Sequence, residues 1–159
     1  MKTDTHIASI NPGQVSQLHR LFQSAVASDF SYFPGPYRAQ VLRENSLIRL
    51  LVAAFRPSRI LLGAWRNGEL VGYIIGVTNG NASAKIYWLY VRPDARGAKL
   101  GTKLLDSFVE VVRSRGMERI SLVTHNYEDY YRKYGFKLEG TDKLYGVDMK
   151  IMSYQWAKK

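Results

Sequence analysis

Residues 85–136 read KIYWLYVRPDARGAKLGTKLLDSFVEVVRSRGMERISLVTHNYEDYYRKYGF, and the reading of this stretch decides the fold. It opens on a β-branched and aromatic run, Ile86 to Val91, that stops at Arg92-Pro93 because proline cannot donate to a sheet ladder. A loop, Asp94 to Lys99, leads to apolar residues at Leu100, Leu104, Leu105, Phe108, Val111 and Val112. Their 3.6-residue spacing, with Lys103, Asp106, Glu110 and Arg113 between them, predicts an amphipathic helix that Gly116 ends. A strand, a glycine-containing loop and a helix in that order make a place for an anion, because the first N–H groups of a helix lack internal acceptors. Here the loop is Arg96-Gly97-Ala98-Lys99-Leu100-Gly101-Thr102, with two glycines for close backbone approach and two cations beside them. It matches neither GxxxxGK[ST] nor GxGxxG. Taken alone, the heptapeptide also fits an ordinary βα turn with solvated basic residues.

Outward from this stretch, the N-terminal side reads as a strand over Thr5 to Ile10. Asn11-Pro12 then caps a helix with apolar positions at Val15, Leu18, Leu21, Phe22, Ala25 and Val26. An aromatic break, Ser28 to Pro36, separates it from a second helix predicted over Tyr37 to Phe55, before Pro57. Asn67-Gly68 signals a hairpin between Ile60–Trp65 and Leu70–Val77, and Asn79-Gly80-Asn81 turns the chain back into the central strand. On the C-terminal side a fifth strand, Ile120 to Thr124, lies parallel to the fourth if the crossover is right-handed. A short helix, Tyr127 to Tyr134, and an antiparallel pair, Phe136–Glu139 with Val147–Tyr154, complete the order βααβββαβαββ. This is an α/β fold around a mixed, mostly antiparallel sheet.

At 159 residues the chain reads as one domain, 1–159, with no linker. It has no cysteine, which removes disulfides, thiolate catalysis and Cys-ligated metal, and its three histidines, His6, His19 and His125, are too far apart to suggest a metal. No metal is expected. The first ten residues lack the apolar core of a signal peptide and no apolar run reaches membrane-spanning length, so a soluble cytoplasmic protein with no membrane partner is expected. The net charge of +10 favours an anionic partner or plain solubility. The basic residues occur in scattered pairs such as Arg56 and Arg59, which argues against a nucleic-acid stripe. A homodimer is left open.

Two segments together resemble the GNAT superfamily of N-acetyltransferases. Arg96 and Gly101 match the first and last positions of its [QR]xxGx[GA] signature, with Lys99 where the middle glycine belongs. Tyr131-Arg132-Lys133-Tyr134-Gly135-Phe136 looks like its second signature, Yx[KR]xGF, and Leu89-Tyr90-Val91-Arg92-Pro93 resembles the family's approach to the loop. The resemblance implies that acetyl-CoA lies between splayed fourth and fifth strands. Its pantetheine would pair with the backbone of Leu89, Tyr90 and Val91, and its pyrophosphate would rest on Arg96, Gly97, Ala98, Lys99, Leu100, Gly101 and Thr102. Lys99 in place of glycine puts a positive φ there in doubt.

By motif position Tyr131 is the general acid for the departing thiolate, or else an aromatic packing the short helix onto the sheet. Lys133 falls in the same signature, and the resemblance implies that it contacts the cofactor. Asn126 either bonds the cofactor or caps the following helix. The backbone N–H of Tyr90 or Val91 is the expected oxyanion donor. Tyr32, Phe33 and Tyr37 are expected over the acceptor side, facing an amine. The strand from Lys85 to Arg92 has no carboxylate to serve as base, and Asp29, Glu44, Glu69 and His125 are the substitutes. Two rivals from other classes stand beside this reading. A non-catalytic acyl-CoA sensor would keep the loop and lose Tyr131; a nucleic-acid module would interleave basic and aromatic residues on one face.

Overall fold

The computed structural model describes residues 3–156. A seven-stranded sheet, in the order β1-β2-β3-β4-β5-β7-β6, runs through the molecule. Its strands are β1 (Thr5–Ser9), β2 (Arg59–Arg66), β3 (Glu69–Asn79), β4 (Ser83–Val91), β5 (Arg119–Thr124), β6 (Lys137–Leu144) and β7 (Val147–Gln155). All neighbours are antiparallel except β4 and β5. The helices are α1 (Val15–Ser28), α2 (Gly35–Glu44), α3 (Leu47–Ala54), α4 (Leu100–Ser114) and α5 (Glu128–Tyr134). Among the described residues no helix is long and apolar enough to cross a membrane.

Alternation along the strands sorts the core into two layers. Ile60, Leu62, Ile74 and Ile86 pack with Leu104, Phe108 and Val112 of α4 on one face. Leu61, Tyr73, Ile75 and Tyr90 pack with Leu18, Phe22 and Ala25 of α1 on the other. At Gly76 the sheet leaves α4 no room for a side chain: a Cβ there would lie 2.5 Å from the Phe108 ring.

β4 changes phase part-way. Ile75 of β3 pairs with Trp88 while Gly76 pairs with Ile86, which leaves Tyr87 as the extra residue of a β-bulge. Ala84 and Ile86 therefore face the α4 layer, and Trp88 and Tyr90 face the α1 layer. β4 and β5 pair over only three positions, Ser83 with Arg119, Ala84 with Ile120 and Lys85 with Ser121. Beyond these, β4 stays with β3 as far as Val91 and β5 stays with β7 as far as Thr124. The two strands thus part into the cleft expected between them.

Two expected elements differ. The single helix over Tyr37–Phe55 is two, because Asn45 leaves helical geometry and its side-chain amide donates to the Val41 carbonyl (2.9 Å). Ser46 then caps α3 by accepting from the Arg49 N–H (3.4 Å). The last hairpin is longer than Phe136–Glu139 suggested, since β6 continues to Leu144 and turns at Tyr145-Gly146 with both residues at positive φ. Tyr145 holds that conformation while stacking on Tyr37 at 4.2 Å and donating from its hydroxyl to Gln40 (3.0 Å).

Candidate active site

The open edge of β4 can be assigned residue by residue. The Arg92 N–H donates to the Val71 carbonyl (2.8 Å), so the polar groups of Arg92 and Tyr90 point to β3 and those of Leu89 and Val91 point into the cleft. This corrects one expectation: the Tyr90 N–H belongs to the ladder, which leaves the Val91 N–H as the candidate oxyanion donor. The Val91 carbonyl accepts from Arg96 Nε (2.9 Å). The Arg96 guanidinium also pairs with Asp29 and lies 5.7 Å from the centroid of the Tyr90 ring. Arg96 therefore fastens the loop to the sheet with its side chain turned to protein partners, and Asp29 is withdrawn from the list of bases.

The loop continues with Gly97 at φ +93° and Lys99 at φ +56°. The doubt about Lys99 is answered against the sequence expectation, because lysine keeps the left-handed geometry at a cost of about 1–2 kcal/mol. Among the described residues, no N–H from Gly97 to Thr102 has an acceptor, and the helical pattern begins with the Lys103 N–H on the Lys99 carbonyl (3.0 Å). Six consecutive donors at the start of a fifteen-residue helix make a strong anion site. Tyr130 covers this helix start, with its hydroxyl 3.1 Å from Thr102 Oγ1 and 3.3 Å from where a Cβ on Gly101 would sit.

A cavity of about 850 Å³ opens beside the cleft, on the α1–α3 side of the sheet. Leu89, Leu122, Trp88, Tyr131 and His125 line it, together with Tyr32, Phe33 and Tyr37. Tyr131 is 8% exposed and packs on Phe136 and Tyr130 at 5.4 and 5.2 Å. Among the described residues its hydroxyl has no hydrogen-bond partner. Burial, reinforced by Tyr130, Tyr127 and Tyr32, pushes its phenol well above the ordinary range, so it stays protonated at neutral pH and has a proton to give. Burial likewise raises Tyr32 to about 12.

His125, at the end of β5, stacks on Tyr32 at 4.5 Å, and its Nδ1 lies 2.8 Å from the Asp148 carbonyl. A carbonyl can only accept, so Nδ1 carries the hydrogen and the neutral ring keeps a lone pair on Nε2. Glu69 lines no part of the cavity and is held by Arg92 (2.6 Å), which lowers its pKa. Glu44 does line it. Asn126 does not cap α5, which starts after Tyr127 with no side-chain cap, the Tyr127 N–H itself donating to Thr124 Oγ1 (3.2 Å). Lys133, two residues beyond Tyr131, is exposed on another side of α5.

A protein-family model for the acetyltransferase (GNAT) family matches residues 19–136. The chain belongs to that family. Among similar GNAT proteins, an IAA acetyltransferase of Azospirillum brasilense is 31% identical over 109 residues, 65% of this chain and 71% of that protein. A spermidine N(1)-acetyltransferase of Thermoplasma acidophilum is 26% identical over 115 residues, 70% of this chain and 71% of the other. In fold the chain is similar to the PaiA N-acetyltransferase of Thermoplasma acidophilum in complex with coenzyme A, with a TM-score of 0.83, 23% identity, and 96% and 99% of the two chains covered. As a GNAT protein it is an acyltransferase.

The cavity of this GNAT chain has lining residues that sequence reasoning passed over. Asp142 of β6 and the cations Arg49, Arg59 and Lys85 also line the cavity. Asp142 was hidden by the early expected end of β6, and the three cations come from three elements with no shared spacing.

Proposed function

We propose that this GNAT protein transfers the acetyl group of acetyl-CoA to a primary amine, within a complex that holds both substrates. The observation that carries the reading is the run of six uncommitted N–H groups from Gly97 to Thr102 at the mouth of the β4–β5 cleft. They fit a pyrophosphate, and the N–H and carbonyl of Leu89 with the N–H of Val91 fit an extended amide chain laid along β4. Acetyl-CoA supplies an activated acyl group as a thioester.

In this reading Leu89 and Val91 align the extended chain, and the Val91 N–H donates to the carbonyl oxygen as negative charge develops there. The amine nitrogen bonds to the carbonyl carbon while the carbon–sulfur bond breaks. His125 Nε2, at the end of the strand that forms the cleft, accepts the amine's proton, and the Tyr131 hydroxyl gives its proton to the departing sulfur. Solvent then resets both groups. Tyr32, Phe33 and Tyr37 exclude water from the acceptor and orient it, and holding the two reactants together accounts for about 7–11 kcal/mol of barrier lowering.

The test is turnover of acetyl-CoA over a panel of primary amines by wild type and Tyr131→Phe. Phenylalanine keeps the ring contacts, so turnover should fall at least ~10-fold, at the lower edge of general-acid effects, while the melting temperature barely moves. Turnover at the wild-type rate would make Tyr131 a packing residue. A protein that acetylates nothing on the panel, and whose melting temperature is unmoved by millimolar acetyl-CoA, would remove the reading altogether.

A further inference from the structure

The cations of the cavity fall into a pattern that the chemistry of transfer does not use. Arg59, Val77 and Lys85 lie at one level across β2, β3 and β4, so their side chains share a face of the sheet. It is the face of the α1 layer, where the cavity lies. The Arg59 guanidinium and the Lys85 ammonium stand 5.6 and 5.4 Å from the centroid of the same Tyr87 ring, the bulge residue, and Arg49 reaches the same cavity from α3. Among the described residues, none of the three side chains has a hydrogen-bond acceptor or a carboxylate partner. The cavity also holds two carboxylates, Glu44, which accepts from the Gln40 amide (2.9 Å), and Asp142, which accepts from the Lys143 N–H (2.8 Å), so the three cations leave its lining with an excess of positive charge.

The proposed pyrophosphate site does not explain this cluster. Lys85 lies five ladder positions from Val91, the bulge at Tyr87 adding no step, which is roughly 17 Å of strand, and the phosphate loop lies beyond Val91. Lys85 also sits where β4 and β5 are still paired, at the closed end of the cleft. An anion held here belongs to the other substrate.

Resting on the acetyltransferase reading, we propose that the acceptor is a primary amine carrying an anionic group, which Arg49, Arg59 and Lys85 bind. Four residues of β4 separate Lys85 from Leu89 at the cleft, which sets the amine and the anion on the order of 10 Å apart. That separation excludes an α-amino acid acting through its own carboxylate. It fits an extended ω-amino acid, or a peptide terminus with an acidic group two or three residues in. A polyamine, whose far end is cationic, is disfavoured by the same three side chains.

The experiment compares three probes of equal length: 8-aminooctanoic acid, octylamine and 1,8-diaminooctane. Wild type should acetylate the acid with kcat/KM at least ~10-fold above octylamine, with the diamine lowest, one charge-assisted contact being worth about a factor of ten or more. Arg59→Gln combined with Lys85→Gln should bring the ratio of acid to octylamine close to one. The acid added with coenzyme A should also raise the wild-type melting temperature more than octylamine does, a readout independent of turnover. A peptide pair, with glutamate or lysine at the third position, separates a protein terminus from a small molecule as the source of the anion. Equal kcat/KM for acid and octylamine, or a preference for the diamine, overturns the inference and leaves the acetyltransferase reading intact. Failure to acetylate any probe, with no shift by acetyl-CoA, overturns both.

Discussion

The proposed cofactor half of the cleft offers backbone: six N–H groups from Gly97 to Thr102 and the open edges of Leu89 and Val91. The acceptor half offers side chains drawn from α2, α3, β2, β4, β5 and β6. Backbone donors come with helix geometry and survive most substitutions, so the first half tolerates even lysine at a left-handed position. Side chains hold their places through contacts between distant segments, and Tyr37 with Tyr145 is the clearest pair. The first half is suited to a ligand that stays the same, the second to one that differs between proteins.

The comparison breaks most sharply at Gly101. Gly101→Glu puts a side chain against the Tyr130 hydroxyl and a negative charge where phosphate would sit, yet an acidic residue in the first turn favours the helix itself. The expected result is a normal melting temperature in buffer and no rise with acetyl-CoA. Wild type at a hundredfold excess over Kd should gain about 2.7 kcal/mol. A variant that still shifts like wild type would place the phosphates elsewhere.

On the other half, Tyr37→Ala removes the ring that packs between Phe33 and Tyr145 at 4.5 and 4.2 Å. The Michaelis constant for the amine should rise roughly 3- to 10-fold, as expected from losing aromatic contacts worth about 0.5–1.5 kcal/mol. The shift produced by acetyl-CoA should not change. If the shift disappears as well, the two halves are one cooperative unit and the contrast fails.

Lys99→Gly sharpens the contrast with the smallest effect. Glycine relieves the left-handed strain but adds freedom to the unfolded chain, so stability should change by no more than ~1 kcal/mol, toward the stabilised side. Affinity for acetyl-CoA should stay within about twofold, because the N–H is kept. A large loss of affinity would show that the ammonium of Lys99, and not the backbone, carries the phosphate contact.

What the sequence disclosed follows the same division. Strand, loop and α4 were readable because proline, apolar period and glycine are local signals, and the second signature located Tyr131. The break at Asn45-Ser46 was masked by apolar residues that continue through both helices, such as Leu42 and Leu50. The turn at Tyr145-Gly146 carries no standard hairpin pair, and its strained tyrosine is held by Gln40, more than a hundred residues away. Asn126 could be read either as a cofactor contact or as a helix cap, and α5 starts after Tyr127 without any side-chain cap. The cluster of cations could not be read at all, because Arg49, Arg59 and Lys85 meet only through strand register and the packing of α3.

The bulge at Tyr87 behaves as a frameshift written into the fold. The one residue that β4 can lose without moving either end is Tyr87, because Ile86 and Trp88 already lie opposite the consecutive residues Gly76 and Ile75. A residue lost elsewhere in β4 would draw Tyr87 into the ladder or shift the register of one end, and side chains would change between the α1 and α4 layers. Deletions in β4 should therefore be far better tolerated at Tyr87 than at its neighbours.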